Sequence, residues 1–168
     1  MILALDLAFA NTGWAILEKG KLIKFGTIKT EKTKVKNTLV SDDRATRATH
    51  LAQELVHLIQ GNNIQAIVGE LPSGSQNATA SNLLGWAGGI AVAVATCHGL
   101  PCEWISQGDS KKASLGVRSA TKEAMMEWAT AAFPEVTFPT TKCNFEHVAD
   151  ALSSYNGLRS GILVRTFG

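Results

Sequence analysis

The stretch Met1-Ile-Leu-Ala-Leu-Asp-Leu-Ala8 decides the fold. Every side chain in it but one is apolar, so it reads as a nearly continuous buried strand, covered on both faces as the central strands of α/β sheets are. The exception is Asp6. An ionised carboxylate inside a buried strand is costly unless a cation or a hydrogen-bonding partner neutralises it. The same problem recurs at Glu70, which ends the apolar run Ile64-Gln-Ala-Ile-Val-Gly-Glu70, and Asp150 follows His147 by three places in Asn144-Phe-Glu-His-Val-Ala-Asp150-Ala-Leu152. A cation site shared by these acids is the economical explanation.

Outward from the first strand, Asn11-Thr12-Gly13 reads as a turn. Residues 14–17 and 22–25 flank Glu18-Lys19-Gly20-Lys21 as a β-hairpin, with Gly20 supplying the turn conformation. From 42 to 60 the period changes: Ala45, Ala48, Leu51, Ala52, Leu55, Val56 and Ile59 form the apolar face of a helix. Asp42 and Asp43 stand at its positive end and Gly61 lies beyond its last turn. Residues 64–68 return as a buried strand. A strand, a helix and a strand in that order imply a right-handed crossover, so the strand ending in Glu70 lies parallel to the one carrying Asp6. Both carboxylates then stand toward the carboxyl ends of neighbouring strands, where open α/β sheets place their sites.

Residues 72–80 are polar and loop-like, and 81–97 read as a helix rich in Gly and Ala. Gly85, Gly88 and Gly89 each weaken a helix by up to about 1 kcal/mol relative to Ala. That cost predicts close packing against a sheet face or a second subunit. A short strand at 101–106 follows, then a short helix at 110–115 and a helix at 121–132 ended by Pro134. A final helix has Asn144 as its N-cap and runs to about Tyr155.

With 168 residues, 45% of them hydrophobic and 18% charged, the chain suits one core and a single domain spanning 1–168. Sixteen basic side chains against 14 acidic ones are too balanced to mark a polyanion binder by their sum. Distribution is more telling. Lys19, Lys21, Lys24, Lys29, Lys32, Lys34 and Lys36 crowd one stretch with only Glu31 against them. They read either as a hairpin edge kept from aggregating or as a phosphate-contacting surface. Cys97, Cys102 and Cys143 form no CxxC pair, which argues against a zinc knuckle or disulfide framework and for a reducing, cytoplasmic setting. The longest apolar stretch, 83–97, has about 15 residues against the roughly 20 of a membrane span, and no basic leader is visible, so no membrane partner is expected.

On the final helix, His147 and Asp150 project to one side, while Val148, Ala151, Leu152 and Tyr155 form an adjacent apolar stripe facing the sheet. With Asp6 and Glu70 they make three carboxylates and an imidazole from three separate elements, a donor set suited to two hard divalent cations about 3.5 to 4 Å apart. Each member alone has a plainer reading. Asp6 suits a satisfied structural acid, Glu70 the start of a loop, and His147 a cap or packing residue. Glu146 is a rival on the same turn.

Leu5-Asp6 is followed by Thr12-Gly13-Trp14, then Val68-Gly69-Glu70 with Asn77-Ala78 and Leu84-Gly85 downstream. The series continues through Lys111 and Gly116-Val-Arg-Ser-Ala-Thr-Lys122 to His147-Val-Ala-Asp150-Ala-Leu152. In this order and spacing the chain resembles the RuvC-type Holliday junction resolvases of the ribonuclease H-like nuclease superfamily, over essentially its whole length. The resemblance implies an α/β fold with a ribonuclease H-like mixed five-stranded sheet, three antiparallel strands then two parallel, flanked by helices. It also implies a phage or bacterial homodimer that binds four-way or branched DNA and nicks two opposed strands symmetrically with Mg2+ or Mn2+, two ions per active site. Asp6, Glu70 and Asp150 fall on the family's metal-binding carboxylates, and His147 on a position where members carry Asp or His.

By the same resemblance Lys111 and Lys122 fall on residues contacting DNA near the scissile phosphate, and Arg118, Ser73 and Asn77 belong to DNA-facing segments. Gly85, Gly88 and Gly89 lie on the interface helix. The chain departs from the pattern at Ser73, where many members have an aromatic wedge. A hydroxymethyl group cannot stack in place of a base pair, which widens the expected substrates to Y-shaped or fork DNA. Arg118 replaces a Gly. Two other classes fit less well. An actin-like or sugar-kinase fold would cradle phosphates in the loop after Asp6, but Asp6-Leu-Ala-Phe-Ala-Asn11 lacks the early glycine such an approach requires. A non-catalytic nucleic-acid-binding module gives no reason for buried acids.

Overall fold

In the computed structural model, which describes residues 1–71 and 77–168, the run that opens the chain becomes the centre of a sheet. The strands are β1 (Ile2–Asp6), β2 (Asn11–Glu18), β3 (Lys21–Lys29), β4 (Ala66–Glu70) and β5 (Cys102–Ile105). The helices are α1 (Val40–Gly61), α2 (Ala78–Cys97), α3 (Gln107–Leu115), α4 (Lys122–Ala132), α5 (Lys142–Gly157) and α6 (Ile162–Phe167). The sheet order is β3-β2-β1-β4-β5. β1 pairs antiparallel with β2 and β2 with β3, while β4 runs parallel to β1 and β5 parallel to β4. This is the mixed sheet, three antiparallel strands then two parallel, that the resemblance implied.

Alternation along β1 divides the core in two. Ile2 and Ala4 face α5 and α4, packing with Ala15, Leu17, Val68, Val148, Leu152 and Met125. Leu3 and Leu5 face α1 and α2, packing with Ile16, Ile67, Leu51, Leu55, Ala87 and Ala91. Helices thus cover both faces of β1, which is why its sequence is apolar almost throughout.

Several boundaries differ from the sequence reading. Asn11, Thr12 and Gly13 lie in β2, with Asn11 opposite Lys29; the chain turns earlier, where Thr12 Oγ1 donates to the Ala8 carbonyl at 2.7 Å. The hairpin turn is Lys19-Gly20, both with positive φ (50° and 77°), as a two-residue loop matched to strand twist requires. Gly61 is the last residue of α1 and Asn62 its C-cap. Ser110 lies inside α3, whose N-cap is Ser106. Asn144 is not a cap: α5 starts at Lys142 after Thr141, and Asn144 Oδ1 is buried with no hydrogen-bond partner among the described residues. α6 had no signal in the sequence reading.

α2 starts three residues before the expected point because the Asn77 side chain accepts from the Thr79 and Ala80 N–H groups. At 20 residues it is long and apolar enough, by length and composition, to cross a membrane, which corrects the shorter estimate above. Here it packs Ala87, Ala91 and Ala95 into the core.

Candidate active site

Parallel pairing of β1 and β4 sets Asp6 and Glu70 opposite each other in register at the carboxyl ends of adjacent strands. α5 lies across this edge, held by buried Val148, Ala149, Ala151 and Leu152. It comes so close to β2 that a Cβ at Gly13 would collide with the His147 carbonyl, so Gly13 is in the strand to admit the helix backbone. The approach delivers His147 and Asp150 to Asp6 and Glu70. These four side chains line one cleft of about 270 Å³, together with Leu7, Ala8, Leu71, Leu84, Gln107 and Lys122.

His147 Nδ1–H donates to Asp6 Oδ2 at 2.7 Å. The bond orients the ring and leaves Nε2 as its second functional nitrogen. It also raises the His147 pKa above 6.5, through the hydrogen bond first, with burial opposing. Glu70 is buried and accepts from Ser110 Oγ at 2.5 Å. Burial pushes its pKa up to about 7 against the effect of that bond, and the charges of Asp6 and Asp150 push the same way. Burial, then repulsion from Asp6, raises Asp150 to about 6, opposed by Lys111, His147 and Lys122.

Ser110 escaped the sequence reading. It is fully buried and its hydroxyl holds a site carboxylate, yet a lone serine on a short helix carries no periodic or charge signal. The basic residues are tethered. Lys122 Nζ pairs with Glu146 Oε2 at 2.9 Å beside the cleft, Lys111 Nζ donates to the Ala120 carbonyl at 3.2 Å, and Arg118 pairs with Asp109 at 2.6 Å. Glu146, the rival acid, is thus turned to Lys122 and does not line the cleft. Arg118 does not line it either. Asn77 caps α2, and Ser73 lies outside the described residues. A Cβ at Gly85, Gly88 or Gly89 would meet nothing within 4 Å, so no described part of this chain packs closely on them.

The donor set fits hard divalent cations in kind: three carboxylates and one imidazole nitrogen, with two acids whose pKa values are raised first by burial and then by neighbouring carboxylate charge. It is not preformed. Among the described residues no three His, Cys, Asp or Glu side chains present a ready metal site. Asp6 and Glu70 each commit one oxygen, to His147 and to Ser110, and leave the other for coordination.

No family model matches the chain. It is 31% identical over 159 residues to the crossover junction endodeoxyribonuclease RuvC of Mesorhizobium japonicum, an alignment covering 90% of this chain and 85% of that protein. Thermus thermophilus RuvC has a similar structure, with a TM-score of 0.71 at 17% identity over 98% of this chain and 95% of that one. Thermus thermophilus RuvC in complex with a Holliday junction substrate gives 0.70 at 18% identity, covering 93% and 90%. The yeast mitochondrial Holliday junction resolvase gives 0.60 at 14%, covering 95% and 80%.

Proposed function

The chain belongs to the RuvC family of crossover junction endodeoxyribonucleases, and from that premise we propose that it resolves four-way DNA junctions by symmetric, divalent-metal-dependent phosphodiester hydrolysis. The observation that carries the reading is the pairing of Asp6 with Glu70 at adjacent strand ends, closed over by His147 and Asp150 of α5 around one cleft.

Asp6, Glu70, Asp150 and His147 would hold Mg2+ or Mn2+, two ions per site. When bound, the ions supply positive charge to the phosphate oxygens and acidify the attacking water. The chain does the positioning. Asp6 fixes the His147 tautomer through Nδ1, so Nε2 serves as a ligand or takes the proton of the attacking water. Ser110 holds Glu70 in place. Lys122 and Lys111 put positive charge beside the cleft for the scissile phosphate, and Lys122 exchanges Glu146 for it.

Two symmetric nicks need two active sites, and a homodimer supplies them. The face of α2 carrying Gly85, Gly89, Trp86 and Val92 is exposed and apolar, which supports its use as the interface. A DNA substrate and cysteines that are free here suit the cytoplasm of a bacterial or phage-infected cell.

The test incubates the protein with a labelled four-way junction in Mg2+ or Mn2+, beside linear duplex and Y-shaped fork DNA. Paired nicks in opposed strands of the junction, with linear duplex intact, are expected. Equal cutting of linear duplex, or no junction cleavage in either metal, overturns the proposal. Fork cleavage at the junction rate selects the broader branched-DNA nuclease that Ser73, in place of an aromatic wedge, favours.

A further inference from the structure

The lysine-rich stretch is continuous in sequence but split in space. Lys19 and Lys21 sit at the β2–β3 turn, at one end of the sheet. Lys29 ends β3 opposite Asn11, two residues beyond Thr27, which faces Gly13, itself the partner of Asp6. Since β3 runs in the same direction as β1 and β4, the loop carrying Lys32, Lys34 and Lys36 leaves the sheet at the edge that holds Asp6 and Glu70.

The base of that loop is built. Buried Thr30 receives Arg47 Nε–H at 3.1 Å, donates its hydroxyl to the Phe9 carbonyl at 2.5 Å, and donates its N–H to the Ala10 carbonyl at 2.9 Å. The buried Arg47 guanidinium lies 4.7 Å from the Phe9 ring centroid and 3.7 Å from Asp43, whose other oxygen accepts the Thr33 N–H at 2.7 Å. Phe9 and Ala10 belong to the connection that begins directly after Asp6, and its Leu7 and Ala8 line the catalytic cleft. The loop is therefore fastened to the segment that carries a site carboxylate. Beside it a second cleft of about 250 Å³ is lined by Lys32, Thr33, Arg44, Arg47, Thr79 and Leu83.

We propose that the β3–α1 loop is a second DNA-binding surface, holding backbone phosphates of a junction arm through Lys32, Lys34, Lys36 and Arg44. It leaves the sheet on the β3 side of the active site, whereas Lys111 belongs to α3, whose Ser110 holds Glu70 at the end of β4. Residues 29–47 hold six cationic side chains, Lys29, Lys32, Lys34, Lys36, Arg44 and Arg47, against Glu31, Asp42 and Asp43, and Asp43 is turned inward. The three loop lysines are exposed, and among the described residues none of them makes a hydrogen bond or ion pair. Such contacts position DNA without reading its sequence.

This inference rests on the junction-nuclease reading, and the experiment separates the two. Junction affinity is measured in Ca2+ as a function of salt for the parent, for K32Q/K34Q/K36Q, for K32R/K34R/K36R, and for K19Q/K21Q at the opposite end of the sheet. The Gln variant should bind roughly ten- to a hundredfold more weakly near 100 mM salt, with the slope of log K against log[salt] flatter by about two to three units. The Arg variant should keep both, and K19Q/K21Q should match the parent. Equal affinity and slope in the Gln variant and parent overturn the inference, as they would if exposed Val35, Leu39 and Val40, among and just after these lysines, seat a protein instead. So does an equal loss in K19Q/K21Q, which would make the effect one of net charge. A parent that binds no junction overturns the functional reading itself.

Discussion

His147 Nδ1 and Asp6 Oδ2 lie 2.7 Å apart across a sequence separation of 141 residues, and that bond settles which ring nitrogen is committed to orientation. A carboxylate-bound imidazole is a better base and ligand at its other nitrogen, because the partner stabilises the charge that develops on the ring.

His147→Ala should therefore lose most of the cleavage rate, roughly 10²- to 10⁴-fold, the range for loss of a proton-transfer group. His147→Asp should retain cleavage while shifting preference from Mn2+ toward Mg2+, since an oxygen donor replaces nitrogen. Single-turnover rates in each metal decide it. If His147→Ala cleaves like the parent in both, His147 packs α5 against β1 and does no chemistry.

The metal-free protein should lose stability as pH rises from 5 to 8. Glu70 and Asp150 have folded-state values of about 7 and about 6, above their ordinary 4.5 and 3.8. The native state thus binds extra protons in this window, and the stability they contribute is complete below the ordinary values and lost as pH passes through 6 and 7. His147, raised above 6.5, acts in the same direction. Thermal melts in chelator should show the fall, and Mn2+ or Mg2+ at pH 8 should reverse it by about 3 kcal/mol at a hundredfold excess over Kd. A melting temperature flat or rising across this range refutes the acid-cluster argument.

Asp6→Asn and Asp150→Asn should abolish nicking and leave junction binding in Ca2+ within a few-fold of the parent, because phosphate contacts lie elsewhere. Asp150→Asn should also raise the metal-free melting temperature at pH 8, where removing one of several like charges relieves repulsion. Binding lost in proportion to cleavage would move these acids out of the metal-binding role.

Lys111→Ala and Lys122→Ala should each weaken junction binding and flatten the salt slope by about one unit. Glu146→Gln frees Lys122 from its ion pair and should tighten binding modestly. Slopes unchanged in both lysine variants would return them to surface residues.

Gly89→Leu should break association and spare the fold. Its Cβ meets nothing among the described residues and the substitution favours helix, so a partner is what would object. Sedimentation should show monomer with an unchanged melt at low concentration, and symmetric nicking should fall. A dimer surviving in Gly89→Leu and Gly85→Leu excludes this face of α2.

Burial of a charge and the period of apolar residues are local properties, so the sequence alone determined much. The apolar run Met1 to Ala8 marked the central strand and Asp6 in it a candidate site, the strand-helix-strand order set β4 parallel to β1, and the interval from His147 to Asp150 placed both on one side of α5. Tertiary structure decided what depends on how elements meet. Ser110 became the clasp of Glu70 only once α3 met the end of β4, and Gly13, read as a turn, proved to be the point where α5 touches β2. Lys19 and Lys36, parts of one run in the chain, parted because β3 carries them to opposite ends of the sheet. Register and the depth of a helix against its sheet are set by partners distant in the chain, and no local pattern encodes them.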